Sequence, residues 1–498
     1  MEPTRALEQF SFLFTQDGGY LRIPIWGHIP LSGPARRLIE HPDFVRLQRI
    51  RQLSLVHYVF PGASHTRFEH SVGTYHLSVL MLQRLVLNPI NWRDATPKIS
   101  PEDARLFLAA ALLHDIGHYP FAHLVDRLPL GSTEDRVQST KTETGGTPTR
   151  NAKPGIANRA AGTAFETHED RARLYILHDR SPGSIYAILR DDWGIDDPER
   201  VADIITNPED AGLPGKMLSG ILDPDKMDYL MRDAWACGVP YGNIDADRLI
   251  ESLVLDVDGP RCRLGITEKG IAPLESLVFA KYMMFRHIYW HHAVRIAVAM
   301  FTRFAQDGIE AGVVDPSSFY RLSDDALIEE LADKADRIQS GELVTSLKNR
   351  TLYKRGLILY PEHPAGEEEF AISHSELERV KELYWHPERR REKETAICDL
   401  LSRREGIALE GFEVLLDIPR LATVFDIEDF RELHVFVTPQ ADGESRFVPF
   451  NSYGFTLLTA DFAQEFERFS RRVQVICRPE LRDSLVRHRR EVKSIVVQ

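Results

Sequence analysis

Apolar residues recur at helical intervals through much of the first three hundred positions. Ala104–Leu113 (ARLFLAAALL) and Ala172–Leu189 carry apolar positions three and four apart with strong helix formers between them, so each predicts a helix. Glu275–Phe304 is apolar on most faces and predicts one long, largely buried helix. Helices are therefore expected from about Pro34 to about Phe304. Ala326–Ile338 repeats the helical pattern. Leu352–Tyr360, Glu413–Ile418, Leu433–Val437 and Val473–Cys477 are short runs, most of them rich in β-branched residues, and predict strands. The expected fold class is mainly α, with a helical core over 1–329 and a smaller mixed α/β region over 330–498. Between Gly131 and Gly162 the chain reads GSTEDRVQSTKTETGGTPTRNAKPGIANRAAG, with hardly a large apolar side chain. Such a stretch cannot bury enough surface to offset its ordering entropy and predicts a flexible insert over 131–162.

Composition narrows the function classes. Of the 498 residues 43% are apolar, enough for a full core, and 61 Lys and Arg against 74 Asp and Glu leave a formal charge of −13. A chain this acidic is not a non-specific nucleic-acid coat, because phosphate binding needs a positive field, and anionic substrates would need a local basic pocket. The four cysteines, Cys237, Cys262, Cys398 and Cys477, stand far apart, which excludes a Cys-rich zinc site and argues against a disulfide framework. The N-terminal MEPTRALEQFSF has no basic-then-apolar pattern, and no apolar run approaches the ~18 residues of a membrane span. A cytoplasmic chain without a membrane segment is expected.

The strongest local signal is ALLHDIGHYPFAH, from Ala111 to His123, where an apolar run ends in three His and one Asp. His114 and His118 are four apart and share a helical face, while Asp115 is rotated by about 100° from His114. Pro120 should interrupt the helix and let His123 turn back. Surface histidines on a helix would be the bland alternative, but an Asp beside a His directly after a buried run puts polar groups where desolvation is costly without a partner. Further ligands would have to come from elsewhere. His70 lies in FPGASHTRFEHS and Asp225 in LDPDKMDY, where a helix cap or turn is the alternative for Asp223 and Asp225. Two His and two carboxylates favour a borderline or hard divalent ion such as Zn, Mn, Fe, Ni or Mg.

The separated pattern H…HD…D resembles the HD-domain metal-dependent phosphohydrolases. More narrowly, VFPGASHTRFEHSVG, LLHDIGHYPFAHLVD, THED and DPDKMDYLMRDA are similar to the deoxynucleoside triphosphate triphosphohydrolase branch, without a sterile-alpha-motif region ahead of them. The likeness is dense from about Ile25 to Phe304, the insert apart, and thins beyond. It implies an HD-domain helical core with His70, His114, Asp115 and Asp225 as metal ligands. It further implies His118 beside the phosphates, His168 as proton donor, and His123 and Asp126 lining the same pocket. In that chemistry a bound divalent ion lowers the pKa of water from 15.7 towards roughly 7, and a His with an unperturbed pKa of about 6.5 protonates the leaving 5′-oxygen.

The resemblance extends to the substrate. Gln52 matches a residue that hydrogen-bonds the 3′-hydroxyl, and Leu53 stands where a 2′-hydroxyl would have to go. Burying that hydroxyl unpaired costs about 1–3 kcal/mol, a tenfold or greater preference for deoxyribose. Arg67 and Lys226 match phosphate-binding cations, Tyr229 and Asp233 a wall beside base and sugar, and Tyr289 a stacking position. Lys281 stands where relatives carry Arg and cannot give the bidentate fork. Relatives activated by a guanine nucleotide carry an Asp and an Arg where this chain has Glu40 and Gln48, so an obligatory GTP activator is not expected. Deoxynucleoside triphosphates and a homo-oligomer, dimer or tetramer, are the expected partners. The alternative is an HD phosphodiesterase or nuclease acting on single-stranded nucleic acid or a signalling nucleotide, with the basic run Arg478, Arg482, Arg487, Arg489 and Arg490 as its track.

Overall fold

Residues 7–93, 96–126, 128, 165–258, 261–361, 368–418, 430, 433–438, 444–454, 456–458 and 472–498 are described by a computed structural model of the chain. The insert predicted over 131–162 lies outside the described residues. The chain divides into two units that are each discontinuous in sequence, the first taking 1–122, 167–289 and 424–464, the second 123–166, 290–423 and 465–498.

Local capping explains where the helices of the first unit begin. Helix α1 (Arg67–Leu87) starts where the Thr66 amide donates to Glu69 Oε2 at 2.8 Å. Helix α2 (Pro101–Leu113) has Pro101 at its first position, and Ser100 Oγ accepts from the Asp103 amide at 3.0 Å. Leu106 through Leu113 are all buried, so α2 is a central helix rather than an amphipathic surface one. Helix α3 (His168–Leu177) is capped by Thr167, which accepts from the Asp170 amide at 3.1 Å. Helix α4 (Pro224–Cys237) is capped by the Asp223 carboxylate on the Lys226 amide at 2.7 Å and ends at Gly238, whose φ of 68° permits the left-handed exit. A four-stranded sheet completes the unit: Arg446–Pro449, His434–Val437, Arg261–Thr267 and Leu253–Asp258, antiparallel except between the middle pair. Part of the region beyond 330 thus pairs with the hairpin 253–267.

Two expected helices are broken. Ala172–Leu189 splits into α3 and Ile185–Asp191, because Pro182 and Gly183, the latter at φ 89°, stop one helix and Ser184 caps the next. The single helix expected over Glu275–Phe304 is α5 (Ile271–Met284), a wide π turn over Phe285–Tyr289, and α6 (His292–Glu310), which His291 caps by accepting from the Ala293 amide. A hairpin of Tyr20–Ile23 with Gly27–Pro30 has no counterpart among the predicted elements.

In the second unit Val473–Cys477 lies between Lys354–Leu359 and Val414–Asp417, antiparallel to both. Leu357, Leu359, Val414, Leu416, Val473 and Val475 pack with Ile397 and Leu401 of α7 (Pro387–Glu405) and with Val492 near the C-terminus. Buried Glu394 on α7 pairs with Arg303 of α6 and accepts from the Leu416 amide at 2.8 Å, which ties helix to strand. Of the C-terminal arginines, Arg478 pairs with Glu342 and Glu413, Arg482 with Asp483, Arg487 with Glu405, and Arg489 and Arg490 with Glu369, all carboxylates of their own unit. Among the described residues no helix is long and apolar enough to cross a membrane.

Candidate metal centre and adjoining pocket

The first turns of α1 and α4 and the turn leaving α2 bring His70, Asp225, His114 and Asp115 to one point. His70 Nε2 lies 3.0 Å from Asp225 Oδ1, 3.3 Å from His114 Nε2 and 3.7 Å from Asp115 Oδ2. His114 Nε2 is 3.5 Å from Asp115 Oδ1 and 3.7 Å from Asp225 Oδ1. Donors held about 2.0–2.2 Å from a single ion stand roughly 3.0–3.5 Å from one another, so His70, His114 and Asp115, whose ligand atoms cluster, are spaced much as one divalent cation needs, and Asp225 flanks them beside His70 and His114. The tautomers fit as well. His114 Nδ1 donates to the Ala111 carbonyl at 2.9 Å and His70 Nδ1 lies 2.9 Å from buried Asp228, which turns both Nε2 atoms to the common point, where a divalent ion would take the place of the His70 Nε2 proton.

The charges around this point favour a cation. Burial opposes a charge on Asp115, but Arg67 at 2.5 Å, His114 and His118 outweigh it and hold the carboxyl well below its ordinary range. Burial also opposes protonation of His70, yet hydrogen bonds to Asp225 and Asp228 push it up to about 10.

A second group of residues is built on the turn after α2. His118 Nε2 is 3.1 Å from Asp115 Oδ1, and its ring stacks on that of His168 with centroids 3.9 Å apart. Burial, with Arg67 and His168 nearby, lowers His118 well below its usual value, so the ring is neutral at neutral pH. The stack exists because α3 comes extremely close: a Cβ at position 117 would lie 1.9 Å from the His168 carbonyl oxygen, and only glycine fits there. Two buried guanidiniums then bind the turn's outward carbonyls. Arg46 donates to Ile116 and His118 at 2.6 and 2.8 Å, and Arg171 of α3 donates to Gly117 at 2.7 Å while lying over the Tyr119 ring.

Of the pocket residues expected from the sequence, Gln52 lies beside this centre, and Tyr229, Asp233 and Tyr289 meet one another in the same unit. Arg67 also reaches the Gln52 carbonyl at 3.4 Å, and the Gln52 side-chain Oε1 is buried without a hydrogen-bond partner. Leu53, next to it, is half-buried. On the far turns of α4, Asp233 accepts from Tyr289 at 2.6 Å and lies 2.8 Å from His65 Nε2, while the Tyr229 and Tyr289 rings meet edge-on at 6.5 Å. Lys226 pairs with Asp223 and donates to the Gly220 carbonyl at 3.0 Å. Lys281 is a half-buried residue of α5. His123 and Asp126 fall in the second unit, in the short helix His123–Asp126, with Nδ1 and Oδ2 3.3 Å apart.

Sequence reasoning missed His65, Arg171, Asp228, Arg232 and Trp26, and considered Arg46 only as one of several groups, with Arg350 and Lys354, that could build an activator site. For the α4 members a signal was present: Asp225, Asp228, Tyr229, Arg232 and Asp233 stand at i, i+3, i+4, i+7 and i+8, a polar stripe at helical spacing. Asp228, Arg232 and Asp233 are buried, the reverse of a solvated face.

Residues 67–144 match the family model of the HD domain, and residues 244–424 that of the HD associated region. An uncharacterized protein of Methanocaldococcus jannaschii is 29% identical over 340 residues, covering 68% of this chain and 59% of that protein. Human deoxynucleoside triphosphate triphosphohydrolase SAMHD1 is 27% identical over 355 residues, covering 66% and 54%. The chain thus spans between half and three fifths of the length of such curated relatives. Among solved structures, a phosphohydrolase from Bacteroides thetaiotaomicron superposes with a TM-score of 0.61 at 21% identity, over 92% of this chain and 99% of that one. A hypothetical protein from Aquifex aeolicus gives 0.60 at 23%, over 96% and 99%. At these identities the two structures share the fold.

Proposed function

We propose that this chain, which matches the HD domain over 67–144 and the HD associated region over 244–424, hydrolyses deoxynucleoside triphosphates to a deoxynucleoside and inorganic triphosphate. In this reading His70, His114, Asp115 and Asp225 hold the divalent ion. When bound, that ion supplies positive charge for the phosphate oxygens and makes water acidic enough to attack at neutral pH. Arg67 and Lys226 contribute cationic groups for the triphosphate, and Lys281 a further one. The water oxygen bonds to the α-phosphorus in line with the departing 5′-oxygen, the P–O5′ bond breaks, and His168 gives the 5′-oxygen its proton. Neutral His118, stacked on His168 and anchored to Asp115, keeps that ring in place. Tyr229, Asp233 and Tyr289 form the wall for base and sugar.

The observation that carries the substrate choice is the buried, unpartnered Oε1 of Gln52 beside half-buried Leu53. An orphaned buried acceptor costs about 1–3 kcal/mol, which a sugar hydroxyl donating to it would recover. The adjacent apolar side chain offers nothing to a 2′-hydroxyl. The name of the human relative points to the same substrate class.

The test is product analysis with dNTPs, NTPs, single-stranded DNA and cyclic nucleotides in the presence of divalent metals. Triphosphate and deoxynucleoside from dNTPs, with NTPs much poorer, is the expected result. Pyrophosphate with dNMP would put the attack on another bond, and cleavage of DNA or a cyclic nucleotide in place of dNTPs would make the chain a phosphodiesterase.

A further inference from the structure

We infer that Asp228 is a positioning residue for the metal centre: it fixes the tautomer of His70 so that the Nε2 lone pair faces Asp115 and Asp225. The inference rests on the reading of His70 as a ligand. Asp228 is fully buried on α4, three residues beyond Asp225, and its carboxylate meets four donors. Arg232 grips it with Nε on Oδ2 at 2.9 Å and Nη2 on Oδ1 at 2.8 Å. Trp26 Nε1 donates to Oδ1 at 2.6 Å, and His70 Nδ1 lies 2.9 Å from Oδ2. Arginine and tryptophan can only donate, and a carboxylate held by them is acceptor-only, so the fourth contact requires the proton on His70 Nδ1.

The surroundings are built around this carboxylate. Trp26 is delivered by the turn of the hairpin Tyr20–Ile23/Gly27–Pro30, where Ile25 takes a φ of 76° that a β-branched residue adopts only at a cost of about 1–3 kcal/mol. Gly73, one turn beyond His70 on α1, leaves the necessary space: a Cβ there would lie 1.9 Å from Asp228 Oδ1. Tautomer, ring angle and basicity of the ligand are thereby set from outside the coordination sphere.

Asp228→Asn tests this because of how an amide must sit. Its single oxygen belongs at the Oδ1 side, where Arg232 Nη2 and Trp26 both donate, which turns the NH2 towards His70. His70 Nδ1 must then accept, the proton moves to Nε2, and that atom can no longer bind a metal. Titrating chelator-stripped chain with Mn2+ by calorimetry should show about 10- to 100-fold weaker binding for Asp228→Asn than for the unaltered chain, with His70→Ala as the reference for loss of the ligand itself. If folded Asp228→Asn binds Mn2+ as tightly as the unaltered chain while His70→Ala does not, the inference is wrong and the metal reading stands. If His70→Ala also binds normally, the metal reading fails and takes the inference with it. Should Asp228→Asn not fold, nitrogen-15 NMR of the histidines in the zinc-loaded, unaltered chain decides. A protonated Nδ1 and metal-bound Nε2 on His70 support the proposal, and a metal-bound Nδ1 overturns it.

Discussion

Gly117→Ala should disable the hydrolase without emptying its metal centre. The added Cβ would lie 1.9 Å from the His168 carbonyl oxygen, 2.5 Å from the Ala172 nitrogen and 3.0 Å from the Arg171 carbonyl carbon. All three are backbone atoms of α3, so no side chain can swing aside. An ordinary contact is about 3.4 Å, so the N-terminus of α3 must withdraw by roughly 1.5 Å or the turn after α2 must tilt by as much. Either movement takes His168 off the face of His118, where the centroids are now 3.9 Å apart, and stretches the Arg171–Gly117 hydrogen bond from 2.7 Å. Misplacing a reacting group by about 1 Å costs on the order of 100-fold in rate, and overpacking costs about 1–3 kcal/mol of stability. Turnover should therefore fall by about two orders of magnitude, with a melting point lower by a few degrees. His70, His114 and Asp225 are carried by α1, α4 and the end of α2, so bound metal measured by atomic emission should stay near the unaltered level. Full turnover in Gly117→Ala, or loss of metal in proportion to loss of rate, would refute the reasoning.

Leu53→Gly should admit ribonucleotides: removing the half-buried side chain opens space for a 2′-hydroxyl, and the kcat/KM ratio of dNTP over NTP should drop at least tenfold. An unchanged ratio would remove Leu53 from sugar selection. dNTP turnover and the sedimentation of the expected homo-oligomer should not require GTP. Glu40 is engaged by Arg36 at 2.6 Å, Gln48 carries no charge, and Arg46 is committed to the Ile116 and His118 carbonyls. Strict dependence of both on micromolar GTP would contradict this. Cys398 and Cys477 should resist aromatic disulfide reagents in the folded chain, because burial pushes both thiols up to about 12; rapid labelling of either would show that the second unit opens.

What the sequence made legible follows a physical dividing line. Helix α2 and the strand Val473–Cys477 emerged because their apolar runs are long, uninterrupted and bounded by caps or breakers, so periodicity alone suffices. His114 and Asp115 were readable for a different reason: a His and an Asp that end a buried run have few structural uses, whereas His70 and Asp225 were reached only through the resemblance. The hairpin 20–30 was not readable, since its strands are four residues each and its turn holds a strained Ile25 where turn chemistry would call for Gly or Asn. The break between α5 and α6 was hidden because a π turn needs no Pro or Gly and leaves the apolar pattern continuous. The part Arg46 and Arg171 play here was invisible because each acts on backbone carbonyls, which carry no trace in the side-chain text.

The polar stripe of α4 links the metal centre to the charge balance of the whole site. In a surface helix, Asp225, Asp228, Arg232 and Asp233 would be solvated and worth little; here Asp228, Arg232 and Asp233 are withdrawn from water, and each must be answered by a specific partner. The answers engage local cations: Arg67 pairs with Asp115, Lys226 with Asp223 and Arg232 with Asp228. Asp225, 32% exposed and facing His70 and His114, is left without a fixed positive charge of its own, and a divalent ion beside it would supply one. A triphosphate approaching this face competes with carboxylates for the same cations, in a chain of net charge −13. A divalent cation among His70, His114, Asp115 and Asp225 would offset that competition. Metal dependence in this chain is in that sense a property of the charge layout of α4 as much as of the HD pair.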